Sequence, residues 1–399
     1  MEGPITSLPC VFLIAGGDRR IRNGHPWAYS NEVRMDNNAR DVEPGSLVEL
    51  RRVDGKPVGI ATFNPHALIA ARIFSHDTFV QIDETFLMKR LRRALAIRER
   101  LFDAPFYRLV HAEADGLPGF IIDRFGDAVT VQPNTAGAEL MLPAMMTAIE
   151  KTLSPSAVAI RADSPARHRE GLNTYSRVAK GDLGQPVAGH EGDLQFAADL
   201  AGGQKTGWFY DQRDNRRFAA QFADGQRMLD VYCYGGGFGV AAAMAGATDV
   251  TGVDRSQDAL DLARRTAELN GVADRCRWEQ GDAFEKLEAL ADAGERYGLV
   301  ATDPPAFVKT KKDLKSGLRG YRKLARLAAA TVDNDGFLFI ASCSYNVSPD
   351  VFRDEICRGI QSAGRKVRIL RASGAGPDHP VHPNLPESSY LKGLMLAFD

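Results

Sequence analysis

The C-terminal half of the sequence alternates short apolar runs with longer segments of helical periodicity. This pattern predicts strands at 227–233, 249–254, 275–279, 297–303, 336–342 and 366–371, followed by a final apolar run at 391–398. Helices are predicted between them at 238–246, 257–270, 283–293, 313–332 and 349–363. This alternation is typical of a parallel sheet with helical crossovers on both faces. We therefore expect an α/β, Rossmann-like domain over residues 194–399.

One of these strands ends abruptly, because the run at 297–302 is followed by Asp303, Pro304 and Pro305. Proline has a fixed φ and no N–H for a sheet ladder, so the chain must leave the sheet here. The Asp303 carboxylate is then placed at the carboxyl edge of the sheet, where ligands bind in open α/β folds. The sequence thus predicts Asp303 as a site residue.

A glycine-rich turn follows the first strand of the domain and contains Gly235 and Gly237. Glycines let a ligand approach the backbone closely, and the helix that follows points its positive end at the ligand. Asp254 ends the second strand, where its carboxylate can accept hydrogen bonds from ribose hydroxyls, and Asp282 ends the third, where it can accept from an adenine amine. With Asp230 of the first strand, these residues form the predicted cofactor site.

The glycines alone also fit a dinucleotide fingerprint. No basic residue is placed to bind a pyrophosphate, however, and an Asp-Pro-Pro segment follows the fourth strand. This combination favours S-adenosylmethionine over a nicotinamide cofactor.

Cys343 closes the fifth predicted strand, at the same sheet edge as Asp303. Cytosine C5 is a poor nucleophile, but it becomes reactive when a thiolate adds to C6 of the ring. We predict Cys343 as that nucleophile and Asp303 as the group that hydrogen-bonds cytosine N3 or its exocyclic amine. The rival interpretation is methylation of an exocyclic base amine, since acid-Pro-Pro followed by an aromatic residue also suits that chemistry and no thiol is required.

A basic segment follows Phe307, and only Asp313 opposes it. The whole chain carries a formal charge of only −1. Any binding of nucleic acid must therefore depend on local clusters of cations such as this segment. Lys309, Lys311 and Lys312 are the predicted contacts to an RNA backbone. A solvated helix face would explain Arg322 and Arg326 without RNA, but it explains the three lysines less well.

Residues before the α/β domain divide into two predicted parts, 1–76 and 77–193. Short β-like runs at 47–50, 57–62 and 69–73 predict a small β-barrel, and a mixture of strands and a helix near 138–153 predicts a small α+β domain with a hairpin or hinge at 181–192. A basic helix at 84–102 is expected to place Leu87, Leu91, Leu95 and Ile97 on its apolar stripe and Arg98 among its polar residues.

The chain has 399 residues, more than one hydrophobic core usually supports. It contains no apolar run of membrane-spanning length and no N-terminal secretion signal. Its five cysteines are scattered without metal-ligand spacing, so we expect free thiols, no metal site and a cytoplasmic protein.

Seven short motifs are spread along the chain: GHPWAYS at 24–30, DGLPG at 115–119, GQKTGWFYDQRDNR at 203–216, DPPAFVK at 303–309, SCS at 342–344, DHP at 378–380 and YLKG at 390–393. Together they resemble the motifs of the ribosomal RNA large subunit methyltransferase I family of cytosine-C5 methyltransferases. The resemblance implies a PUA domain, a small central domain and a class I methyltransferase domain. It also implies that Tyr210, Gln212 or Arg213 lines the methionine end of S-adenosylmethionine and that the substrate is a cytosine of 23S ribosomal RNA.

Two positions depart from the family pattern. Gly235 stands where the family commonly has threonine, and Ala306 and Phe307 follow the prolines, where other RNA cytosine-C5 methyltransferases carry a second cysteine. The base that removes the C5 proton is therefore unassigned. A noncatalytic RNA-binding assembly factor is a further alternative, and the sequence leaves the oligomeric state open, with a homodimer among the options.

Overall fold

The computed structural model describes residues 8–184, 186–203 and 206–399. Gln204 and Lys205 of the motif at 203–216, and Gln185 of the expected hairpin, lie outside the described residues. The chain forms two compact units. The first consists of Met1–Gly184, Leu200–Thr206 and Asp378–Pro386, and the second of Gln185–Asp199, Gly207–Pro377 and Glu387–Asp399.

The first unit begins with a five-stranded sheet of order β1-β3-β4-β5-β2. Its elements are β1 (Cys10–Phe12), α1 (Arg19–Arg22), β2 (Trp27–Tyr29), α2 (Asn37–Arg40), β3 (Leu47–Arg51), β4 (Pro57–Phe63) and β5 (Ile69–Ser75). An antiparallel bridge joins Leu13 to Val33, and Val48, Leu50 and Ala61 lie in the buried core of this sheet. The bridge brings together the segments that follow the two edge strands, so the sheet curls in the way expected of a small barrel.

A second sheet of the same unit has the order β10-β9-β8-β7-β6. Its elements are α3 (Glu84–Leu101), β6 (Phe106–His111), β7 (Phe120–Phe125), β8 (Ala128–Pro133), α4 (Ala136–Leu140), α5 (Leu142–Leu153), β9 (Ala157–Ala162) and β10 (Tyr175–Lys180). The single helix expected near 138–153 is thus two helices, and α5 has a proline in its first turn. Proline is tolerated there because it lacks only an N–H that has no helical partner.

The expected stripe of α3 is wrong at two positions. Arg98 is 0% exposed, although it was expected on the polar face, whereas Ile97 is 44% exposed. The Arg98 guanidinium donates to both carboxylate oxygens of Asp115 at 2.6 and 2.7 Å and to the Asp378 carbonyl at 3.0 Å. These acceptors offset the desolvation cost of a buried cation, so Arg98 can be buried on the face of α3 that was expected to be apolar.

The second unit opens with an antiparallel hairpin of β11 (Val187–Glu191) and β12 (Leu194–Ala198), as expected near 181–192. The remaining elements are α6 (Arg213–Ala220), β13 (Arg227–Val231), α7 (Gly237–Met244), β14 (Asp249–Asp254), α8 (Gln257–Leu269), β15 (Cys276–Gln280), α9 (Ala283–Asp292), β16 (Tyr297–Thr302), α10 (Leu314–Thr331), β17 (Val332–Ser342), α11 (Pro349–Ser362), β18 (Val367–Ser373) and β19 (Lys392–Phe398). Every strand and helix predicted from the alternation is present.

The sheet of this unit has seven strands in the order β15-β14-β13-β16-β17-β19-β18. Strands β13 to β17 pair in parallel, but β19 runs antiparallel to both β17 and β18. The expectation of a wholly parallel sheet is therefore wrong at its last strand. A helical crossover is needed only between parallel neighbours, and the connection from β18 to β19, residues 374–391, contains no α-helix.

Candidate active site

Asp303 and Cys343 follow neighbouring parallel strands at the carboxyl edge of the seven-stranded sheet. Asp303 comes directly after β16, and Cys343 directly after β17, which pairs with β16. The Cys343 thiol lies 4.0 Å from the Pro304 carbonyl oxygen. Asp303 and Cys343 are both half-buried. The structure therefore places the thiol beside the Asp-Pro-Pro segment, with part of each site residue open to a substrate.

A buried hydroxyl network fixes the backbone on either side of the thiol. Ser342 Oγ donates to Tyr321 Oη at 2.7 Å, and Tyr321 Oη lies 2.8 Å from Ser344 Oγ. The backbone N–H groups of Phe307 and Val308 donate to Tyr321 Oη at 3.4 Å and to Ser344 Oγ at 3.1 Å. All three hydroxyl side chains are buried, so the serines join the cysteine segment to the Asp-Pro-Pro segment.

Lys392 is a site residue to which the sequence analysis assigned no role. Its Nζ donates to the carbonyls of Ser344 at 2.6 Å and Val347 at 2.9 Å. Burial lowers the pKa of Lys392 to about 8, and the charge of Cys343 opposes that shift. A lysine inside the otherwise apolar run at 391–398 was the signal that could have identified it.

Two carboxylates organise the glycine turn after β13. Asp254 accepts from the N–H groups of Tyr234 and Ser256, each at 3.0 Å, and Asp230 accepts from the Gly239 N–H at 2.8 Å. Burial, with the nearby charges of Asp303 and Asp254 as smaller contributions, raises the pKa of Asp230 to about 7. Acidic groups gathered in this way favour a cationic ligand, which the sulfonium of S-adenosylmethionine would be.

The glycines of the turn are required by close packing. A Cβ at Gly237 would lie 2.9 Å from Arg216 Cδ, and one at Gly235 would lie 3.2 Å from Trp208 Cζ3. The threonine common at position 235 in the resembling family would therefore crowd the indole ring. Tyr232 and Tyr234, on the same turn, have φ values of 64° and 47°, an uncommon conformation for residues with side chains.

Glu191 of β11 holds the segment at 208–216, whose Trp208 and Arg216 side chains lie against this turn. Glu191 accepts from Trp208 Nε1 at 2.7 Å and from Arg216 Nη2 at 2.6 Å, and the Trp208 ring stacks on Phe196 with centroids 4.3 Å apart. The Arg213 guanidinium lies 3.7 Å from Glu191. Sequence reasoning missed Glu191, because its partners are distant along the chain.

Gln212 and Tyr210 are both 1% exposed. Gln212 Oε1 accepts from Asn215 Nδ2 at 2.7 Å, whereas Gln212 Nε2 is buried and has no hydrogen-bond partner within residues 8–184, 186–203 and 206–399. An unsatisfied buried amide donor is costly, so an acceptor is expected nearby. The carboxylate at the methionine end of S-adenosylmethionine is such an acceptor, and the residues present therefore fit this cofactor.

Asp282 has a clear structural role. Its Oδ1 accepts from the N–H groups of Phe284 at 2.9 Å and Glu285 at 3.2 Å and so caps α9, while Oδ2 lies 3.3 Å from Arg255. Capping by aspartate satisfies N–H groups that have no helical partner. The contact of Asp282 with an adenine amine stays a prediction.

The cations after Phe307 differ in their surroundings. Arg322 pairs with Glu355 at 2.6 Å and Lys323 with Glu288 at 2.9 Å. Lys309, Lys311 and Lys312 are exposed and form no ion pair with any residue that the structure describes. Their positive charge is therefore available to a phosphate backbone.

The described part of the chain contains no helix long and apolar enough to cross a membrane. Within the same residues, no group of three or more His, Cys, Asp or Glu side chains is arranged to hold a metal ion.

Asp254→Ala should weaken S-adenosylmethionine binding by about 1.5 to 3 kcal/mol, because the predicted charge-assisted hydrogen bonds to the ribose could not form. Isothermal calorimetry measures this, with Asp258→Ala as the control, since Asp258 is exposed on the following helix. The wild-type chain should bind S-adenosylhomocysteine but not NAD. Tight NAD binding without a response to S-adenosylhomocysteine would refute the predicted cofactor.

Two protein-family models match this chain. A family model described as S-adenosylmethionine-dependent methyltransferase matches residues 152–392, and one described as PUA-like domain matches residues 11–76. Proteins named ribosomal RNA large subunit methyltransferase I are similar over nearly the whole length. That of Erwinia tasmaniensis is 35% identical, with 96% of this chain and 98% of that one covered, and that of Aeromonas hydrophila is 34% identical, with 97% and 98% covered.

Among solved structures, a putative methyltransferase complexed with SAH has the same fold. It superposes with a TM-score of 0.84, is 20% identical and covers 97% of this chain, with 99% of its own chain matched. A second structure, a putative methyltransferase from Streptococcus mutans, gives a TM-score of 0.82 at 20% identity, with 97% and 99% covered.

Proposed function

The chain belongs to the ribosomal RNA large subunit methyltransferase I family of S-adenosylmethionine-dependent methyltransferases, and from this membership we propose that it methylates C5 of a cytosine in 23S ribosomal RNA. The observation that carries the choice of C5 is the Cys343 thiol beside the Asp-Pro-Pro segment, 4.0 Å from the Pro304 carbonyl oxygen. A thiol at this position has a purpose in C5 chemistry and none in amine methylation.

The proposed reaction begins when the Cys343 thiolate forms a bond to C6 of the cytosine. The C5–C6 electron pair becomes available at C5, which attacks the methyl carbon in line. When bound, S-adenosylmethionine supplies that electrophilic methyl group and leaves as S-adenosylhomocysteine. Loss of the C5 proton to a base then restores the C5–C6 double bond and expels the thiolate.

Asp303 is proposed to stabilise the covalent adduct. Addition of sulfur to C6 pushes electron density towards N3, which takes up a proton from solvent. The Asp303 carboxylate can accept hydrogen bonds from the N3–H and from the exocyclic amine. Its negative charge balances the positive charge that the N3-protonated ring acquires when C5 takes up the methyl group, and N3 returns its proton to solvent when the thiolate is expelled. The bonds from the loop backbone to the buried hydroxyls hold the Asp-Pro-Pro segment and the cysteine at a fixed separation.

Cofactor binding is assigned to residues around the glycine turn. We propose that Tyr210, Gln212 and Arg213 contact the methionine end and that Asp254 contacts the ribose. Asp282 is proposed to contact the adenine, and Asp230, Gly235 and Gly237 shape the turn. The unpartnered Gln212 Nε2 and the fixed Asp254 carboxylate support this orientation.

Modified-base mapping tests the proposed substrate. Ribosomal RNA from cells lacking this protein should lose one 5-methylcytosine in 23S RNA, and the purified chain should restore it in vitro with S-adenosylmethionine. Loss of an N-methylated base instead would support the rival reaction. An unchanged modification map, with no methyl transfer by the purified chain, would favour the noncatalytic assembly factor.

Replacing Lys309, Lys311 and Lys312 together with alanine should weaken RNA binding and flatten its salt dependence. The slope of log K against log salt should fall by at most about 0.7 to 0.9 for each phosphate contact removed. Filter binding over a salt series measures it. A matched triple alanine variant takes three cations that already have acidic partners, namely Arg277, Lys286 and Lys323. Equal slopes for the two variants would show that the three loop lysines do not contact RNA.

A further inference from the structure

Lys392 lies closer to the proposed nucleophile than its position in the sequence suggests. It is the first residue of β19 and is the Cα partner of Ser342, the residue before Cys343. Its Nζ donates at 2.6 Å to the carbonyl of Ser344, the residue after Cys343. The lysine side chain therefore extends from the strand position paired with Ser342 to the backbone carbonyl that follows Cys343, and the residue is buried.

Two of the three N–H donors of the Lys392 ammonium group have acceptors, and the third has none among the described residues. Two N–H bonds are directed to the carbonyls of Ser344 and Val347, and within the described residues Nζ has no third partner. An ammonium group carries three N–H donors, and a buried donor without an acceptor is costly. An anion beside Nζ would satisfy the third donor and offset the desolvation of the cation.

We propose that Lys392 is a positioning residue: its ammonium group stabilises the Cys343 thiolate and so keeps the nucleophile ionised near neutral pH. This inference rests on the proposed role of Cys343. The thiolate is the reactive form of cysteine, and an adjacent cation increases its population. The interaction is reciprocal, because the Cys343 charge raises the pKa of Lys392 against the effect of burial.

Two other ionisable groups near Cys343, Tyr321 and Asp303, also bear on the ionisation of its thiol. Tyr321, on α10, lies behind the cysteine segment, and burial chiefly raises its pKa, so it stays neutral. Asp303, after β16, is an acid on the same sheet edge and would disfavour a thiolate. Lys392 is the cation that counters Asp303 at this position.

The pH dependence of Cys343 alkylation by iodoacetamide, followed by peptide mass spectrometry, tests the proposal without RNA or cofactor. In the wild type the midpoint should lie below the value of about 8.5 for an ordinary cysteine. In Lys392→Met it should rise by about one pH unit, which means about tenfold slower labelling at pH 7, and Lys392→Arg should keep most of the wild-type profile. A purely structural role for Lys392 would not move this midpoint.

Two other cysteines provide internal controls in every sample. Cys10 is exposed and reports the intrinsic reactivity of the reagent, whereas Cys233 is buried and becomes labelled only if the fold is lost. An unmoved midpoint in Lys392→Met with Cys233 protected overturns the proposal. A wild-type midpoint at or above 8.5 overturns it whatever the variants do. Failure of Cys343 as nucleophile is a separate result, because it would appear as methyl transfer by Cys343→Ala.

Discussion

Cys343→Ala should abolish methyl transfer, with at least about a thousandfold loss of turnover, while its affinity for S-adenosylmethionine stays at the wild-type value. The loss is expected because C5 has no other route to activation once the thiol is gone. Affinity should survive because Cys343 follows β17, whereas the proposed cofactor residues surround the turn after β13. Single-turnover methylation of 23S RNA and calorimetry measure the two quantities separately.

Cys357→Ala is the matched control for this variant. Cys357 is also half-buried and reduced, but it lies within α11, away from the sheet edge. It should retain wild-type turnover. Substantial turnover by Cys343→Ala, with the methyl group found on a base amine, would contradict covalent catalysis and support the rival reaction.

Asp303→Asn should reduce turnover by about a hundredfold or more, because an amide cannot balance the positive charge that methyl transfer leaves on the N3-protonated adduct. The amide keeps a carbonyl oxygen that can accept a hydrogen bond from an exocyclic amine. The variant therefore distinguishes the two reactions. Amine methylation needs a hydrogen-bond acceptor at this position but depends less on the negative charge than C5 methylation does. Rates are measured under single turnover with saturating RNA and cofactor.

Asp292→Asn is a suitable control for the charge change, because Asp292 lies at the end of α9. Its turnover should equal that of the wild type. If Asp303→Asn kept more than about half of wild-type turnover, adduct stabilisation by a carboxylate charge would be ruled out.

The α/β sheet was predictable because its inner strands are buried on both faces. The prediction at 249–254 coincides with β14, and that at 297–303 exceeds β16 by one residue. Continuous apolar runs separated by amphipathic helices leave few alternative arrangements. The direction of β19 was not predictable, because an apolar run carries no information about whether its neighbours are parallel or antiparallel.

Long-range polar contacts account for what the sequence could not show. Periodicity placed Arg98 on the polar face of α3, yet Asp115 and the Asp378 carbonyl draw it into the core. Lys392 likewise gains its position from pairing with Ser342, 50 residues earlier in the chain. Motif and strand-end reasoning finds residues such as Asp303 and Cys343, but it does not find partners that meet only in the folded sheet.

Covalent trapping with RNA that carries 5-fluorocytosine at the target tests the central claim most directly. After methyl transfer the adduct can release the enzyme only by losing the C5 substituent, and fluorine cannot leave as a proton does. The wild-type chain with S-adenosylmethionine should therefore form a stable RNA–protein complex that survives denaturing electrophoresis, with the crosslink on the Cys343 peptide, and Cys343→Ala should form none. Complete turnover of this RNA without trapping, or equal trapping by Cys343→Ala, would contradict the Cys343 adduct.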